Sequence, residues 1–265
     1  MDGRTVQNMG NRVSVDDFPQ RGNLDNPAAE RNVVALPPIA GGIKLWWVTL
    51  DRTEDEVAEL AQTLSAGEIE RSRRFGTESL RRRWIVGRAT LRHTLGSVLG
   101  IAPAAVVLAR GRRGRPELAD AALDFNVSHT RGIALIGIGD ALPTGIRLGV
   151  DVEHAQREVN AEGLARKFLS ENEQARLVTM QADERRRHFL RLWTCKEAMS
   201  KATGDALSAP FRRLDVSLVG GPVLVAGPPP YVPDDWSLHL ATVPDGFLAT
   251  VALWRSTRPR DTVSA

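Results

Sequence analysis

An internal repeat is the feature that most limits how this chain can fold. The pattern Leu-Ser-x-x-Glu-x-x-Arg occurs at residues 64–71 and again at 169–176. In both copies the Ser-x-x-Glu box is typical of the start of a helix. A second match begins about twenty residues later in each copy, at Trp84 and at Trp193. Each copy also follows an apolar run, so the sequence predicts the order strand, two short helices, one long helix and strands twice.

This repeat predicts an α+β fold made of two similar halves related by a pseudo-twofold axis. We place the halves at residues 42–145 and 146–256, with a cleft between them where a pocket is expected. Residues 1–41 are polar and lack sustained periodicity, which predicts a disordered or loosely attached extension. Residues 257–265 are expected to form a tail.

Each half is predicted to end in a β-hairpin. Glycine occurs in both connecting loops, at residues 130–132 and 244–246. Three-residue loops with glycine are common between antiparallel strands. The strands on either side are apolar or alternating, which favours the same closing hairpin in both halves.

The composition limits where the chain acts and what it binds. Of its 265 residues, 42% are hydrophobic and 25% charged, which is typical of a globular protein without a membrane span. The start lacks the basic-then-apolar order of a secretory signal, and Cys195 is the only cysteine, so we expect a cytoplasmic protein. Arginines cluster at 71–92 and 110–115, a pattern that suits phosphate or carboxylate recognition but is also common on solvated surfaces.

The segment 148–153 combines apolar and acidic residues with a period of two. On a strand, Asp151 and Glu153 would therefore share one face, about 6.6 Å apart, while the valines beside them face the core. Glu197 and Lys201 stand four residues apart and share one side of a predicted helix. Taken alone, each pair usually marks a solvated surface. Together they offer the oxygen ligands that Mg²⁺ prefers and a cation for phosphate.

A second polar group ends the strand before the first hairpin loop. Asn126, Ser128 and His129 lie close together there, and hydroxyl and imidazole groups at a rigid edge can hydrogen-bond a phosphate. The preceding segment carries Arg110 and Arg115 between glycines. It is either a phosphate clamp or simply an exposed loop.

Four motifs in this order carry a family resemblance: Gly114-Arg115-Pro116, Phe125 to His129, Gly149 to Glu153, and Trp193-x-x-Lys-Glu-Ala-x-x-x-Lys201. Over about residues 43–255, the chain resembles the surfactin-type 4'-phosphopantetheinyl transferases. The resemblance implies a pseudo-dimer of two α+β halves within one monomer. It implies transfer of the phosphopantetheine arm of coenzyme A to a serine of an apo acyl or peptidyl carrier protein, with release of 3',5'-ADP. Polyketide, nonribosomal peptide or fatty acid biosynthesis would be the setting, without a nucleic acid or membrane partner.

The same resemblance assigns residue roles. Asp151, Glu153 and Glu197 would bind Mg²⁺, and Glu197 would also be the general base for the carrier serine. Lys201 would neutralise the pyrophosphate and protonate the departing 3',5'-ADP. The residues implied in coenzyme A binding are Arg71, Arg83, Arg110, Arg115, Asn126, Ser128, His129, Asp151 and Lys201. The chain departs from the family at Arg115, where lysine is frequent, and at Glu68, where some relatives carry a basic residue.

Two other functions remain open from the residues alone. A magnesium-dependent nuclease or phosphodiesterase would also use acids and a lysine around a metal, and it would bind nucleic acid in a salt-sensitive way. A duplicated, non-catalytic binding module would leave the acids as surface residues. Neither alternative requires the Asn-Val-Ser-His segment.

Overall fold

The computed structural model describes residues 32–39, 41–118 and 123–256. The first part of this range contains β1 (Val33–Ile39), β2 (Ile43–Thr49), α1 (Glu54–Ala61), α2 (Ala66–Ser72), α3 (Glu78–Leu99), β3 (Leu108–Arg110), β4 (Pro116–Leu118), β5 (Asp124–Thr130) and β6 (Ile133–Gly139). The second part contains β7 (Ile146–His154), α4 (Ala161–Phe168), α5 (Glu171–Val178), α6 (Ala182–Thr203), β8 (Asp215–Ser217), β9 (Val223–Ala226), β10 (Trp236–Leu240) and β11 (Phe247–Arg255).

The order of elements is duplicated, as the sequence repeat predicts. In the first part β2 pairs with β6 and β6 with β5, and in the second part β7 pairs with β11 and β11 with β10, all antiparallel. Both parts place two short helices and one helix of 22 residues between the first strand and the closing hairpin. The α+β, duplicated fold is therefore confirmed. The boundary between halves at residue 146 stays a prediction, because all described residues belong to one compact unit.

Strand β1 corrects the predicted extension. Val33–Ile39 pairs antiparallel with β2 at the edge of a four-stranded sheet, although the sequence placed it in a loosely attached segment. Two prolines and mixed polarity do not indicate a strand in the sequence. The strand forms nevertheless, because an edge strand needs only one hydrogen-bonded neighbour and tolerates proline. The rest of the predicted extension, 1–31, and the predicted tail, 257–265, lie outside the described residues.

The local signals for helix starts are borne out. The two capping boxes predicted from the repeat open α2 at Ser65 and α5 at Ser170, and a third opens α1 at Thr53. The first hairpin differs from its prediction by one residue, because Thr130 pairs with Ile133 and leaves a two-residue loop. Arg131 and Gly132 both have positive φ, as a type I′ turn requires at both central positions.

Two apolar layers hold the sheets and helices together. One core cluster joins α3, through Ile85 and Val86, to Ile136 and other residues of the first sheet. The other lies between the sheets and includes Leu45 of β2 and Val150 of β7. Helix α6 covers the opposite face of β7 and β11. Within the described ranges, no helix has the length and apolar character needed to cross a membrane.

Candidate active site

Strand β7 places the acids against helix α6. Leu148, Val150 and Val152 point into the apolar layer between the sheets, and Asp151 and Glu153 point the other way. Both acids are buried, with 4% and 8% of their surface exposed, so neither is a solvated strand end.

A glycine allows the helix to come this close. A Cβ built on Gly149 would overlap the carbonyl oxygen of Ala198 and lie 2.7 Å from the amide nitrogen of Ala202, both on α6. The Gly-x-Asp-x-Glu spacing therefore has a packing reason. Glycine opens the space in which Glu197 and Lys201 approach the strand.

Lys201 reaches from α6 to the first sheet and to β7 together. Its Nζ donates to Asp151 Oδ1 at 2.6 Å and to Ser128 Oγ at 2.7 Å, and the serine hydroxyl donates to the same Asp151 oxygen at 2.8 Å. Burial alone would lower the pKa of Lys201, but Asp151 and Glu197 outweigh it and raise the pKa. The ammonium is therefore a fixed positive charge in this site.

Two buried carboxylate oxygens in the site have no hydrogen-bond partner: Asp151 Oδ2 and Glu197 Oε1. Burial raises the pKa of Glu197 to about 7, and the charges of Asp151 and Glu153 act in the same direction against Lys201. A buried acceptor without a partner is costly, and it is uncommon in folded proteins. These two oxygens are therefore candidates to bind a cation or a substrate proton.

Glu153 has a different environment from the other two acids. Arg157 forms an ion pair with Glu153 Oε1, and Thr130 Oγ1 donates to Glu153 Oε2 at 3.2 Å. Burial raises the pKa of the Glu153 carboxyl although the Arg157 charge opposes the rise. Both oxygens thus have protein partners.

No group of three or more His, Cys, Asp and Glu side chains in the described part of the chain is arranged to hold a metal ion. The three predicted acids are close enough for Asp151 and Glu153 to raise the pKa of Glu197, and their joint role as metal ligands stays a prediction. Asp151 and Glu197 nevertheless fit a divalent cation, since each presents a buried, unpartnered carboxylate oxygen, the ligand type that Mg²⁺ prefers.

Polar side chains of β5 bridge it to β7. Asp124 Oδ2 accepts from the amide of Leu148 at 2.6 Å, Asn126 Oδ1 from Val150 at 3.0 Å and Ser128 Oγ from Val152 at 3.3 Å. These strands are the facing edges of the two sheets, and the side-chain oxygens satisfy buried amides that would otherwise lack acceptors. The period of two in Asp-x-Asn-x-Ser was the sequence signal for this bridge.

Because of these hydrogen bonds, only part of the polar group predicted to bind phosphate is free to do so. The Ser128 hydroxyl already donates once and accepts from Lys201 and Val152, and the Asn126 oxygen is also used. His129 remains exposed at the same edge. Of the three predicted residues, the histidine is therefore the one open to a ligand through its side chain.

Arg115 departs most from the role that the resemblance implies. Its guanidinium is buried, makes an ion pair with Asp124 at 2.9 Å, and donates to the carbonyls of Phe125, Leu148 and Ala202. The charge expected at a phosphate instead joins both sheets to the end of α6. Because its guanidinium is already engaged by the protein, Arg115 is not one of the proposed coenzyme A contacts.

The remaining predicted arginines lie in the first half. Arg71 and Arg110 are exposed. Partial desolvation of the guanidinium lowers the pKa of Arg71, and the nearby positive charges of Arg110 and Arg88 lower it further. These side chains therefore form one cationic cluster. Arg83 lies elsewhere, paired through two nitrogens with Asp51 at 2.6 and 2.9 Å next to the first hairpin turn.

Sequence reasoning missed the role of Lys196 in the same motif. Its Nζ is fully buried, 2.6 Å from Glu173 Oε2, and it donates to the carbonyls of Phe168, Phe211 and Leu214. The lysine beside Glu197 therefore ties α6 to α5 and to the loop before β8. An apolar surrounding on both sides of Lys196 in the helical pattern was the available signal.

The fold and the site define a class of protein: a duplicated α+β protein with a buried acidic site and a fixed lysine between its two parts. Comparison with sequence families gives two matches. Residues 147–251 match the 4'-phosphopantetheinyl transferase superfamily, and residues 49–137 match the 4'-phosphopantetheinyl transferase N-terminal family.

Individual relatives agree with the family matches. The 4'-phosphopantetheinyl transferase HetI of Nostoc sp. is 34% identical over 69% of this chain and 77% of its own length. The 4'-phosphopantetheinyl transferase ffp of Bacillus subtilis is 29% identical over 66% of this chain and 77% of its own. A Bacillus anthracis holo-(acyl-carrier-protein) synthase, solved in complex with CoA (3',5'-ADP), aligns over 42% of this chain and 96% of that chain. The sequence identity is 21% and the TM-score is 0.32.

The chain belongs to the 4'-phosphopantetheinyl transferase superfamily. It is an enzyme of that class, which confirms the resemblance seen in its motifs. These relatives give no support to the nuclease alternative.

Proposed function

We propose that this chain transfers the 4'-phosphopantetheine arm of coenzyme A to a serine of an apo acyl or peptidyl carrier protein and releases 3',5'-ADP. The observation that carries the proposal is the pair of buried, unpartnered oxygens on Asp151 and Glu197 beside the Lys201 ammonium. Such a site suits a ligand that brings both a divalent cation and phosphate oxygens. Family membership selects coenzyme A among ligands of this kind.

Asp151 and Glu197 would hold Mg²⁺. When bound, the ion supplies positive charge for the pyrophosphate and for the leaving group. Lys201 adds a second positive charge at the same place. Its raised pKa makes it a poor proton donor, so we assign it to charge neutralisation rather than to protonation of 3',5'-ADP.

Glu197 would take the proton of the carrier serine. The pKa of about 7 belongs to the metal-free carboxyl, and a bound cation would lower it, so the base role rests on the position of Glu197 beside Asp151 and Lys201. As the proton leaves, the serine oxygen forms a bond to the phosphorus that carries the pantetheine arm. The bond from that phosphorus to the bridging pyrophosphate oxygen breaks, and the electron pair leaves with 3',5'-ADP.

Coenzyme A binding would use the Arg71 and Arg110 cations and the neutral imidazole of His129, because desolvation and the Lys201 charge lower the pKa of His129 to about 4. His129 lies at the end of β5, and the cluster of Arg71 and Arg110 carries no acidic partner in the described residues that would neutralise it. Arginine's planar fork suits phosphate. We propose these three side chains for the charged groups of coenzyme A.

The direct test incubates the full chain with coenzyme A, MgCl₂ and apo carrier proteins from fatty acid, polyketide and nonribosomal peptide synthesis. Intact mass spectrometry should find carriers heavier by one phosphopantetheinyl group, and 3',5'-ADP should appear in equal amount. EDTA should stop both. If none of the carriers gains mass, the proposal is wrong.

A variant pair tests the proposed base. Glu197→Gln should lose transfer, while coenzyme A binding measured by calorimetry in EDTA, where no metal contributes, largely persists. Glu184→Gln is the matched control, because Glu184 is exposed on the same helix. Full transfer by Glu197→Gln would remove Glu197 from the base role.

A further inference from the structure

The connection between β3 and β4 is a tight turn that contains a strained arginine. The amide of Gly111 donates to the carbonyl of Arg115 at 2.8 Å, and the amide of Gly114 donates to the carbonyl of Gly111 at 3.0 Å. Within this turn Arg113 has φ 52° and ψ 27°, the left-handed region that is unfavourable for residues with a Cβ. Backbone strain of this kind is often found where a side chain has a function, so the contacts of Arg113 are informative.

The side chain of Arg113 reaches the end of helix α6. Its Nη1 donates to the carbonyl of Asp205 and lies 3.8 Å from Asp205 Oδ1. In the same turn, Arg115 donates to the carbonyl of Ala202 at 2.7 Å. The last carbonyls of a helix lack partners within the helix and carry partial negative charge, so two guanidinium groups at this end stabilise it.

Asp205 is itself held by neighbours on α6 and beyond it. Its amide donates to the carbonyl of Ser200 at 3.0 Å, and its Oδ2 accepts from the hydroxyl of the buried Tyr231 at 2.9 Å. The side chain of Arg113 is 42% exposed, so its contact with Asp205 contributes little to the stability of the whole fold. The contact therefore links two fixed segments without being required for folding.

We propose that Arg113 is a positioning residue that holds the C-terminal end of α6 against the turn 111–115 and thereby fixes the helical turn that carries Lys201. This inference rests on the proposed function, because Lys201 is there assigned to the pyrophosphate of coenzyme A. Lys201 lies four residues before Asp205, which is about one turn of helix. Any loosening of the helix end therefore moves the Lys201 ammonium.

The position of that ammonium depends on short hydrogen bonds. Lys201 Nζ lies 2.6 Å from Asp151 Oδ1 and 2.7 Å from Ser128 Oγ, so a small displacement of the helix end breaks both contacts. Arg113 acts on the helix rather than on coenzyme A. Its loss should therefore lower the turnover number more than the affinity for coenzyme A.

Amide hydrogen exchange of the full chain tests whether the contact holds the helix end. Arg113→Asn is the test variant, because asparagine tolerates the left-handed region and its side chain is too short to reach Asp205. Peptides covering residues 199–205 should exchange about fivefold faster in this variant, and Arg113→Lys, which keeps a cationic donor, should restore most of the protection. The thermal midpoint of Arg113→Asn should move by less than about 2 °C, as expected for an exposed contact.

The transfer assay tests whether the contact serves the reaction. Arg113→Asn should lower kcat about tenfold and leave the KM for coenzyme A within about twofold, because a misplaced group slows the chemical step. Ala206→Gly is the matched control: Ala206 also has a positive φ, of 48°, directly after Asp205, and glycine relieves that strain without removing a side-chain contact. Both exchange and kcat should stay within about twofold in this control.

Unchanged exchange of residues 199–205 in Arg113→Asn would show that the arginine does not hold the helix end. An unchanged kcat would remove the positioning role, and a raised KM with unchanged kcat would make Arg113 a coenzyme A contact instead. Equal losses in Ala206→Gly would also overturn the inference, since loosening of the backbone alone would then suffice. If the unaltered chain modifies no carrier, the proposed function fails and the role in turnover fails with it, while the exchange experiment still decides whether Arg113 holds α6.

Discussion

Glu197→Gln should stabilise the metal-free protein at alkaline pH, although it removes the proposed base. Glu197 ionises at its ordinary pKa of 4.5 in the unfolded chain, whereas burial raises its pKa to about 7 in the folded protein. Because the folded-state pKa is higher, the stabilising contribution is full below pH 4.5 and is lost as pH rises to 7. Above that pH the unaltered protein carries the whole cost of a buried charge, and the glutamine variant carries none of it.

The magnitude follows from the difference between the two pKa values. A change from 4.5 to about 7 corresponds to at most about 3 kcal/mol of unfolding free energy, and about 2 kcal/mol of it falls between pH 5 and pH 8. The side chain is partly exposed and its neighbours relax, so we expect about 1–2 kcal/mol over this range.

Urea unfolding in EDTA measures this effect directly. The free energy of unfolding of Glu197→Gln minus that of the unaltered chain should grow by that amount from pH 5 to pH 8. The reasoning is refuted if Glu197→Gln is no more stable at pH 8, relative to the unaltered chain, than it is at pH 5.

Three further substitutions test how the site is held. Gly149→Ala should destabilise the fold by about 3 kcal/mol, measured by chemical denaturation, and should abolish transfer, because the new Cβ meets the α6 backbone. The control Gly67→Ala has open space around it in α2 and should be neutral or slightly stabilising in the same measurement. Lys196→Met should cost about 3–5 kcal/mol because it leaves Glu173 charged and fully buried, and Glu173→Gln in the same chain should restore part of the loss. Asn126→Ala should cost about 1–3 kcal/mol by removing the acceptor of a buried amide. Its coenzyme A dissociation constant should change less than threefold by calorimetry, whereas a much larger change would return Asn126 to the ligand contacts.

Much of the fold could be predicted because its signals are local. The capping boxes at Thr53, Ser65 and Ser170 depend on side chains three residues apart, and all three form. The repeat of strand, helices and strands could be read for the same reason. Strand β1 could not, because its assignment depends on β2 as a partner rather than on its own pattern.

The candidate site was only half predictable. The period of two gave Asp151 and Glu153 a common face, and the helical spacing brought Glu197 and Lys201 together. The alternating strand pattern did not distinguish Glu153 from Asp151. That difference depends on Arg157, which a turn brings back, and on Thr130, which comes from another sheet.

The sequence by itself determined which charged residues this protein has and the order of the elements that carry them. Only the tertiary structure decided what each charge faces. Arg115, which the resemblance implies as a coenzyme A contact, and Lys196, which precedes Glu197 in its motif, are buried against backbone carbonyls, while Lys201 faces the acids. The physical reason is that a buried charge takes its role from its partners, and those partners come from segments far apart in the chain.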